Sequence, residues 1–531
     1  MANIFRQPCD DGVIRSAPDT SPCARLPGRW VLVATIIGSS MVFIDATVVN
    51  VALPVLQSEL NATVADVQWV VESYALFLAA LILVGSSLGD HFGRRRIFAG
   101  GVSLFALASL WCGLAPDTEQ LILARSVQGI GGALLVPGSL AIISASFSNE
   151  QRGRAIGTWS AFTAVTAALG PLLGGWMVEH LSWRWVFFIN LPLAVIVVGV
   201  LYWRVPESRD DARTGNLDWW GALLATIGLG GIVYGLIESS LQGFSHPLVL
   251  GSLIVGVLGL IAFLFVEARS GAPMMPLILF RSRTFTGANL VTLLLYSALS
   301  GALFFLPFNL IQVQGYSPTA AGASFLPLIL IIFLLSRWAG GLIDRHGPKL
   351  PLTIGPVVAA LGYVLLALPE IGGSYWTTFF PGLIVLGLGM ATSVAPLTTA
   401  VMSAVEGGRV GIASGINNAA ARTAGLMSIA VMGIFALSAF NDGLDSRLAT
   451  VEIPPEARQV LDDQRIKLAG AEIPAGLNDE ASVAVERAIA ESFVASFRLI
   501  MLIAAALALG SAVTAYLTVE GKSTVSSHNQ N

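Results

Sequence analysis

The sequence is poor in charge and in the motifs of enzymes. Of its 531 residues, 12% are charged, about half the share of an ordinary soluble domain. Three cysteines, Cys9, Cys23 and Cys112, form no CxxC pair, which argues against a disulfide framework or a cysteine metal site. There is no GxxxxGK[ST] or HExxH motif, so we expect neither ATP hydrolysis nor metal chemistry, and no cofactor. A net charge of −4 gives no reason to expect nucleic acid as a partner.

Long apolar runs extend along the whole chain instead. A membrane-spanning helix needs about 20 mostly apolar residues. We find fourteen such runs, which begin near Trp30, Val67, Ile97, Glu119, Gly153, Trp185, Trp219, Leu248, Ala288, Ala321, Leu352, Thr377, Val410 and Phe497. Irregular backbone is unstable in lipid because its amides go unpaired, so these runs predict an all-α membrane protein solvated by the lipid bilayer.

Basic residues mark alternate loops between the predicted spans. They are Arg94, Arg95 and Arg96; Arg152 and Arg154; Arg204, Arg209 and Arg213; Arg281 and Arg283; Arg345 and Lys349; and Arg409. Because basic loops stay in the cytoplasm, we expect a multi-pass protein of a bacterial inner membrane with both termini cytoplasmic. The one long hydrophilic loop, residues 441–496, is then external. Apolar residues at helical spacing in its second half predict a helix running into span 14, and the loop itself is interpreted as a solvated cap.

An internal repeat sets the architecture. Leu88, Asp90, Gly93 and a following base recur at a constant offset as Leu342, Asp344, Gly347 and Lys349. At about 30 residues per span and loop, that offset corresponds to about eight spans rather than six. The repeat therefore predicts six-helix bundles at 29–203 and 285–518, with two inserted spans at 204–284 and cytoplasmic tails at 1–28 and 519–531.

Several motifs carry a family resemblance. The Asp90 loop resembles the signature loop of the major facilitator superfamily. Four further motifs, Asp45–Pro54, Arg125–Gly129, Gly170–Gly175 and Trp183–Pro192, resemble its fourteen-span drug/proton antiporters. The resemblance implies the fold of that superfamily and proton-driven export of small amphipathic compounds by alternating access. Its partners would be protons and a small-molecule substrate, and a periplasmic adaptor protein stays open as a further partner. The alternative is a proton-coupled importer, or an exporter of an endogenous metabolite, on the same fold.

Three ionisable residues inside predicted spans are candidates for proton coupling or substrate contact. A charge at mid-bilayer costs at least about 2.5 kcal/mol, so such residues are functional candidates by default. Asp45 in span 1 is a candidate proton carrier because burial favours a neutral carboxyl group, and the alternative is a structural pair. Glu72 in span 2 either contacts protons or substrate or is a carboxylate solvated near the interface. Arg125 in span 4 cannot deprotonate, so it either modulates a carboxylate, contacts substrate or forms a structural ion pair.

The resemblance assigns these positions further. In the family, the acid matching Asp45 is linked to coupling or to cationic substrates, and the arginine matching Arg125 is linked to coupling. The position of Glu72 is commonly neutral in the family, so this chain carries an additional acid there.

Two motifs are candidates for the moving parts. Gly170, Pro171, Gly174 and Gly175 are expected on one face of span 5, where small residues allow close helix packing and the proline weakens the backbone. This motif is interpreted as an antiporter hinge, with ordinary tight packing as the alternative. The gating loops comprise Leu88, Asp90, Gly93 and Arg94 in the first half and Asp344, Arg345 and Gly347 in the second. The polar candidates for the cavity are Asn309, Gln312, Asn417 and Arg422, for which interhelical hydrogen bonding is the alternative.

Overall fold

The structure is a computed structural model, and it describes residues 9–10, 28–147, 149–209, 218–270, 273–405, 410–449 and 451–521. Within these ranges, fourteen helices are long and apolar enough to cross a membrane, as the sequence predicts. The first eight spans are Gly28–Glu59, Val64–Phe92, Arg94–Leu114, Thr118–Ser146, Asn149–His180, Trp185–Phe188 continued by Asn190–Arg204, Trp219–Gln242 and Pro247–Arg269. The last six are Arg283–Phe308 continued by Asn309–Val313, Pro318–Ser324 continued by Leu326–His346, Lys349–Ala367, Phe379–Ser403, Val410–Leu448 and Asp479–Thr518.

Side-chain caps fix where several spans begin. Thr63 and Asp66 form a reciprocal capping box at the start of span 2, and the Asp117 carboxylate accepts a hydrogen bond from the Gln120 amide at the start of span 4. Asp218 likewise caps span 7 through the amide of Gly221. These caps satisfy amide groups that a helix leaves unpaired at its first turn, so the polar residues that interrupt the apolar runs also start the helices.

The predicted start of span 14 differs most from the structure. The run near Phe497 is only the later part of a helix that begins at Asp479. This confirms the helix predicted from the apolar spacing in the second half of the long loop. Outside the spans, the same loop contains a helix at Pro455–Gln464 and a 3-10 helix at Arg465–Gly470, and a further 3-10 helix lies at Leu277–Arg281. Two short strands, Cys9–Asp10 and Ser208–Arg209, pair in parallel.

The chain forms two compact units. The first unit comprises Met1–Met274, Pro307–Ala323 and Val451–Glu486, and so includes spans 1 to 8. Its core is built from Met41 in span 1, Phe98 and Phe105 in span 3, Leu135 in span 4 and Val197 in span 6. Spans 7 and 8 pack closely on each other where Gly228 meets Gly259.

The second unit comprises Met275–Leu306, Ser324–Thr450 and Arg487–Asn531. Its core unites Phe285 of span 9, Leu352 of span 11, Val401 of span 12, Ala413 of span 13 and Ala515 of span 14. The bundle boundaries expected from the repeat remain a prediction.

The long hydrophilic loop folds back within the first unit. Its 3-10 helix contains buried Lys467, which bonds to Asn61 just beyond span 1, and the Lys467 carbonyl accepts a hydrogen bond from Gln57 at 3.2 Å. Gln312 donates to the same Gln57 side chain at 2.9 Å. Part of the predicted solvated cap is therefore packed against helix ends.

Candidate functional site

The first unit contains a buried ion pair between spans 1 and 4. Nη1 of Arg125 lies 2.6 Å from Oδ2 of Asp45, and both side chains are at most 2% exposed. Gln128, one turn after Arg125, donates from Nε2 to Oδ1 of Asp45 at 2.8 Å and accepts from Arg125 Nη1 at 2.6 Å. Each carboxylate oxygen of Asp45 thus has its own donor, and the sequence candidates Asp45 and Arg125 form one site.

Neighbouring spans hold this pair in place. Arg125 also donates from Nε to the carbonyl of Val70 in span 2 at 3.0 Å. The guanidinium carbon lies 4.2 Å from the ring centre of Tyr74 and 5.8 Å from that of Phe187. An arginine over aromatic rings gains electrostatic attraction, especially away from water. Spans 2 and 6 therefore contribute to the position of the guanidinium.

Polar side chains extend the site into spans 3 and 6. Ser109 Oγ accepts from Gln128 Nε2 at 2.9 Å and from Asn190 Nδ2 at 3.3 Å, and it donates to the Phe105 carbonyl. Cys112 Sγ lies 3.6 Å from Gln128 Oε1. Reasoning from the sequence assigned no site role to Ser109, Cys112 or Asn190. Asn190 falls inside the quoted Trp183–Pro192 motif, which was the available signal for it.

Glu72 is another buried acid of this unit, and its surroundings differ from those of Asp45. Its side chain is 0% exposed, so the interpretation as a carboxylate solvated near the interface is wrong. Neither of its carboxylate oxygens has a hydrogen-bond partner among the described residues. It shares span 2 with Val70 and Tyr74, which contact Arg125, but it makes no bond to the Asp45 network.

The small residues of span 5 pack against two different elements, span 1 and the helix that begins at Pro318. A methyl group at Gly170 would clash with the Thr47 side chain of span 1, and one at Gly174 would lie 2.9 Å from the Val48 carbonyl oxygen. One at Gly175 would strike the backbone of Pro318, and Pro171 approaches Gly322 in the same way. The expected single face is therefore two adjacent stripes, because neighbouring helical positions point about 100° apart.

The first gating loop contains an ion pair between two of its predicted residues. Arg94 Nη2 lies 3.0 Å from Asp90 Oδ1, with both residues buried. Gly93 between them has φ 105°, a conformation that only glycine adopts easily, and it ends span 2 just before span 3 begins. Leu88 is half-buried one turn earlier.

Glu207, at the end of span 6, is a partner of this loop that sequence reasoning did not single out. Its Oε1 accepts from the Arg95 amide at 2.9 Å, and its Oε2 lies 3.7 Å and 3.6 Å from Nε of Arg95 and Arg96. A carboxylate at the start of a helix also interacts favourably with the helix dipole. The charged ends of spans 2, 3 and 6 are thus joined.

The second gating loop has the same backbone feature. Gly347 has φ 73° and ends the helix that contains Asp344 and Arg345. The side chains of Asp344 and Arg345 lie outside what the structure describes, as do Arg152, Arg213, Arg409 and the tails at 1–8, 11–27 and 522–531. Their predicted roles stay predictions.

The four polar residues predicted to face the cavity lie in two different units. Asn309 is buried at the start of a π-helical turn and accepts from Gln314 at 3.2 Å, while Gln312 binds Gln57, all in the first unit. In the second unit, Asn417 donates to Thr292 Oγ1 at 2.6 Å and to Asn289 at 3.3 Å. Arg422 is half-buried in span 13. Asn417 and Gln312 therefore make interhelical hydrogen bonds, the alternative that the sequence left open.

Comparison with protein families gives a match over most of the chain. The model of the Major Facilitator Superfamily matches residues 35–429. Multidrug resistance protein Stp of Mycobacterium tuberculosis is 35% identical over 81% of this chain and 80% of that protein. The tetracenomycin C resistance and export protein of Streptomyces glaucescens is 32% identical over 94% and 93%, respectively. Puromycin resistance protein pur8 of Streptomyces alboniger is 37% identical over 76% and 80%.

Solved structures agree in fold. A bacterial homologue of the human lysosomal transporter Spinster, in an inward-facing and unoccupied conformation, has a TM-score of 0.65 at 19% identity, covering 94% of this chain and 99% of that one. The xylose transporter XylE of E. coli has a TM-score of 0.54 at 14% identity, covering 93% and 97%.

Proposed function

Since the chain belongs to the Major Facilitator Superfamily, we propose that this membrane transporter exports small amphipathic compounds in exchange for protons, by alternating access. The observation that carries the proposal is the buried network of Asp45, Arg125 and Gln128. Ionisable groups inside a membrane protein are costly and generally serve a pathway or a coupling step. Drug export is supported by the names of relatives that match at least three quarters of this chain.

The packing around span 5 supports a moving element. Gly170 and Gly174 bring span 5 against span 1, which carries Asp45, so a shift of span 5 changes the surroundings of the ion pair. Pro171 removes one backbone hydrogen bond within span 5, which makes the helix easier to bend. The Asp90–Arg94 pair with Glu207 is a latch whose opening would accompany that motion.

Drug export is tested by growth. A susceptible bacterium expressing the chain is grown on puromycin, lincomycin, tetracenomycin C and ethidium, with the empty vector as control. We expect raised resistance to at least one compound and lower cellular accumulation of it. Equal growth and equal accumulation across the panel would contradict drug export.

Proton exchange is tested in inside-out vesicles. A pH gradient is imposed and followed with a fluorescent weak base, and the exported compound is then added. In an antiporter, the compound dissipates the gradient because protons leave as it enters the vesicle. A gradient that stays unchanged during measurable transport of the compound would contradict proton coupling.

We also propose an inner-membrane location with both termini in the cytoplasm and the loop at 441–496 outside. Ala475 is an exposed position of that loop, whereas a side chain at Gly470 would meet Gln57. Ala475→Cys should react with an impermeant maleimide in intact spheroplasts, and the parent chain with its own three cysteines should not. Labelling of Ala475→Cys only after permeabilisation would reverse the topology.

A further inference from the structure

The structure assigns Glu72 as a proton-binding group of the first unit, separate from the Asp45–Arg125 pair. This inference rests on the proposed proton exchange and names a residue that performs it. The two acids are both fully buried, but they differ in every partner that the structure describes.

Asp45 has a partner for each of its carboxylate oxygens. Two donors, Arg125 Nη1 at 2.6 Å and Gln128 Nε2 at 2.8 Å, occupy the two oxygens. Removing either charge of the ion pair would leave the other buried without its counter-ion, which is strongly unfavourable. The Asp45 carboxyl group is therefore fully partnered within the site.

Glu72 has none of these partners. Both oxygens lack a hydrogen-bond partner among the described residues, and the side chain has no exposure to solvent. An isolated carboxylate in such surroundings is far less stable than the neutral acid, because burial penalises the charge and nothing compensates for it. A group that must be neutral when buried, and can ionise once water reaches it, has the property that a proton carrier requires.

Several charged groups on the elements around span 2 have partners other than Glu72. They include Asp45 of span 1, which binds Arg125; Arg125 of span 4, which binds Asp45 and the Val70 carbonyl; Glu238 of span 7, which accepts from Trp69 and Gln242; Lys467 of the 3-10 helix at Arg465–Gly470, which binds Asn61; and Arg94 and Arg95 of span 3, which bind Asp90 and Glu207. None of them forms a hydrogen bond or ion pair with Glu72. The carboxyl group therefore depends on hydration or on a proton for its stability.

Span 7 places a row of hydrogen-bonded polar side chains near the turn of span 2 that carries Glu72. Trp69 lies one turn before Glu72, on nearly the same side of span 2, and donates from Nε1 to Glu238 Oε1 at 3.2 Å. The Trp69 ring also contacts Tyr234, with ring centres 5.9 Å apart. Glu238 continues to exposed Gln242 at the end of span 7 through a bond of 2.9 Å. The Trp69 indole only donates and cannot relay a proton, so we include Glu238 alone in the proposal, as an acid near the turn that carries Glu72 through which protons can be exchanged with water.

The proton step is a simple acid dissociation. Glu72 carries its proton as a neutral carboxylic acid while buried, and it releases the proton to water when the site opens. The carboxylate then takes up a proton again before it is reburied. No covalent bond other than O–H forms or breaks.

The first experiment measures protonation without any substrate. Infrared difference spectra of the purified full chain, between acidic and alkaline buffer, should show a protonated carboxyl band that is lost in Glu72→Gln. The band should shift in Glu72→Asp and persist in Asp45→Asn. Persistence of the full band in Glu72→Gln would overturn the assignment. A band that is lost in Asp45→Asn but not in Glu72→Gln would overturn it as well.

The second experiment measures transport in proteoliposomes with ethidium, or with puromycin if growth identifies it. Glu72→Gln should lose accumulation driven by a pH gradient while retaining exchange of labelled for unlabelled compound, and Glu238→Gln should slow the driven rate. Glu72→Gln that retains driven transport at the wild-type rate would overturn the inference. Loss of ethidium transport alone, with driven puromycin transport intact, would identify Glu72 as a cation-binding residue and also overturn it. Absence of driven transport in the wild type would instead refute the proposed function.

Discussion

Buried polar side chains of the first unit include charged groups inside the spans, whereas those described in the second unit are neutral. Asp45, Glu72 and Arg125 are each at most 1% exposed. In the second unit, the buried polar residues that the structure describes within spans are asparagine, serine and threonine, among them Asn289, Thr292 and Ser428. The two halves share a repeated loop that ends in a glycine with positive φ, at Gly93 and Gly347. The repeat thus retained the helix junction.

This difference has an energetic meaning. A buried ion in a membrane protein costs several kcal/mol unless it is paired, whereas a hydrogen bond between membrane helices contributes about 0.6 kcal/mol on average. Removing one proton or one charged partner inside the first unit is therefore expected to change its free energy of unfolding by a large amount. The neutral buried groups described in the second unit can each change its energy only by smaller steps. We infer that coupling belongs to the first unit and that the second unit contributes packing and neutral contacts.

The largest effect on stability is expected when Asp45 loses its counter-ion. Arg125→Gln should destabilise the protein by about 3–5 kcal/mol, because the Asp45 carboxylate is left buried without its partner. The double variant Asp45→Asn with Arg125→Gln removes both charges and should recover much of that loss.

Thermal unfolding in detergent can be followed through the thiol of Cys112, which is buried beside the network and becomes reactive only on unfolding. Cys9 and Cys23 are replaced by serine in all variants so that Cys112 alone reports. A double variant less stable than Arg125→Gln would show that the charges are not the source of the cost.

An intermediate effect on stability is expected when a methyl group is added to a glycine at which two helices pack closely. Gly170 of the first unit meets the side chain of Thr47, which can rotate, whereas Gly389 of the second unit meets the backbone of Ala359, which cannot. Overpacking costs about 1–3 kcal/mol, so Gly389→Ala should lower the unfolding temperature more than Gly170→Ala. Gly170→Ala should instead slow transport, because span 5 moves in the proposed mechanism.

Gly157 provides the matched control for span 5, since a methyl group there would meet nothing within 4 Å. Gly157→Ala should leave both stability and transport close to wild type. Equal transport rates for Gly170→Ala and Gly157→Ala would reduce the Gly170 motif to ordinary packing.

The sequence predicted the helices better than it predicted the site. Apolar runs and caps determine where helices begin, so most predicted spans start within a few residues of the observed helices. Asp45 and Arg125 could be selected because charge is rare inside spans. Their pairing with each other, and the separation of Glu72 from both, depend on how spans rotate against one another.

Neutral partners were harder to predict for a further reason. Serine and asparagine are common in membrane helices, so Ser109 and Asn190 give no signal until the packing of spans 3, 4 and 6 is known. The different neighbours of the span 5 glycines could not be predicted for the same reason, because they depend on how the spans pack. Gly170 and Gly175 are both small, and only the positions of span 1 and of the Pro318 turn show that they meet different neighbours.

The smallest effect is expected in the second unit. Asn417 joins span 13 to span 9 by its bonds to Thr292 and Asn289, and Asn417→Ala should cost about 0.6 kcal/mol because membrane hydrogen bonds of this kind are weak on average. Driven transport should persist, since no charge or proton is involved. The measurements are the Cys112 unfolding assay and transport under a pH gradient, with Thr292→Val as a second variant that removes the same hydroxyl partner. If Asn417→Ala abolished proton-driven transport while exchange continued, coupling would extend into the second unit, and the contrast between buried charges in the first unit and neutral buried polar groups in the second would no longer describe how this transporter works.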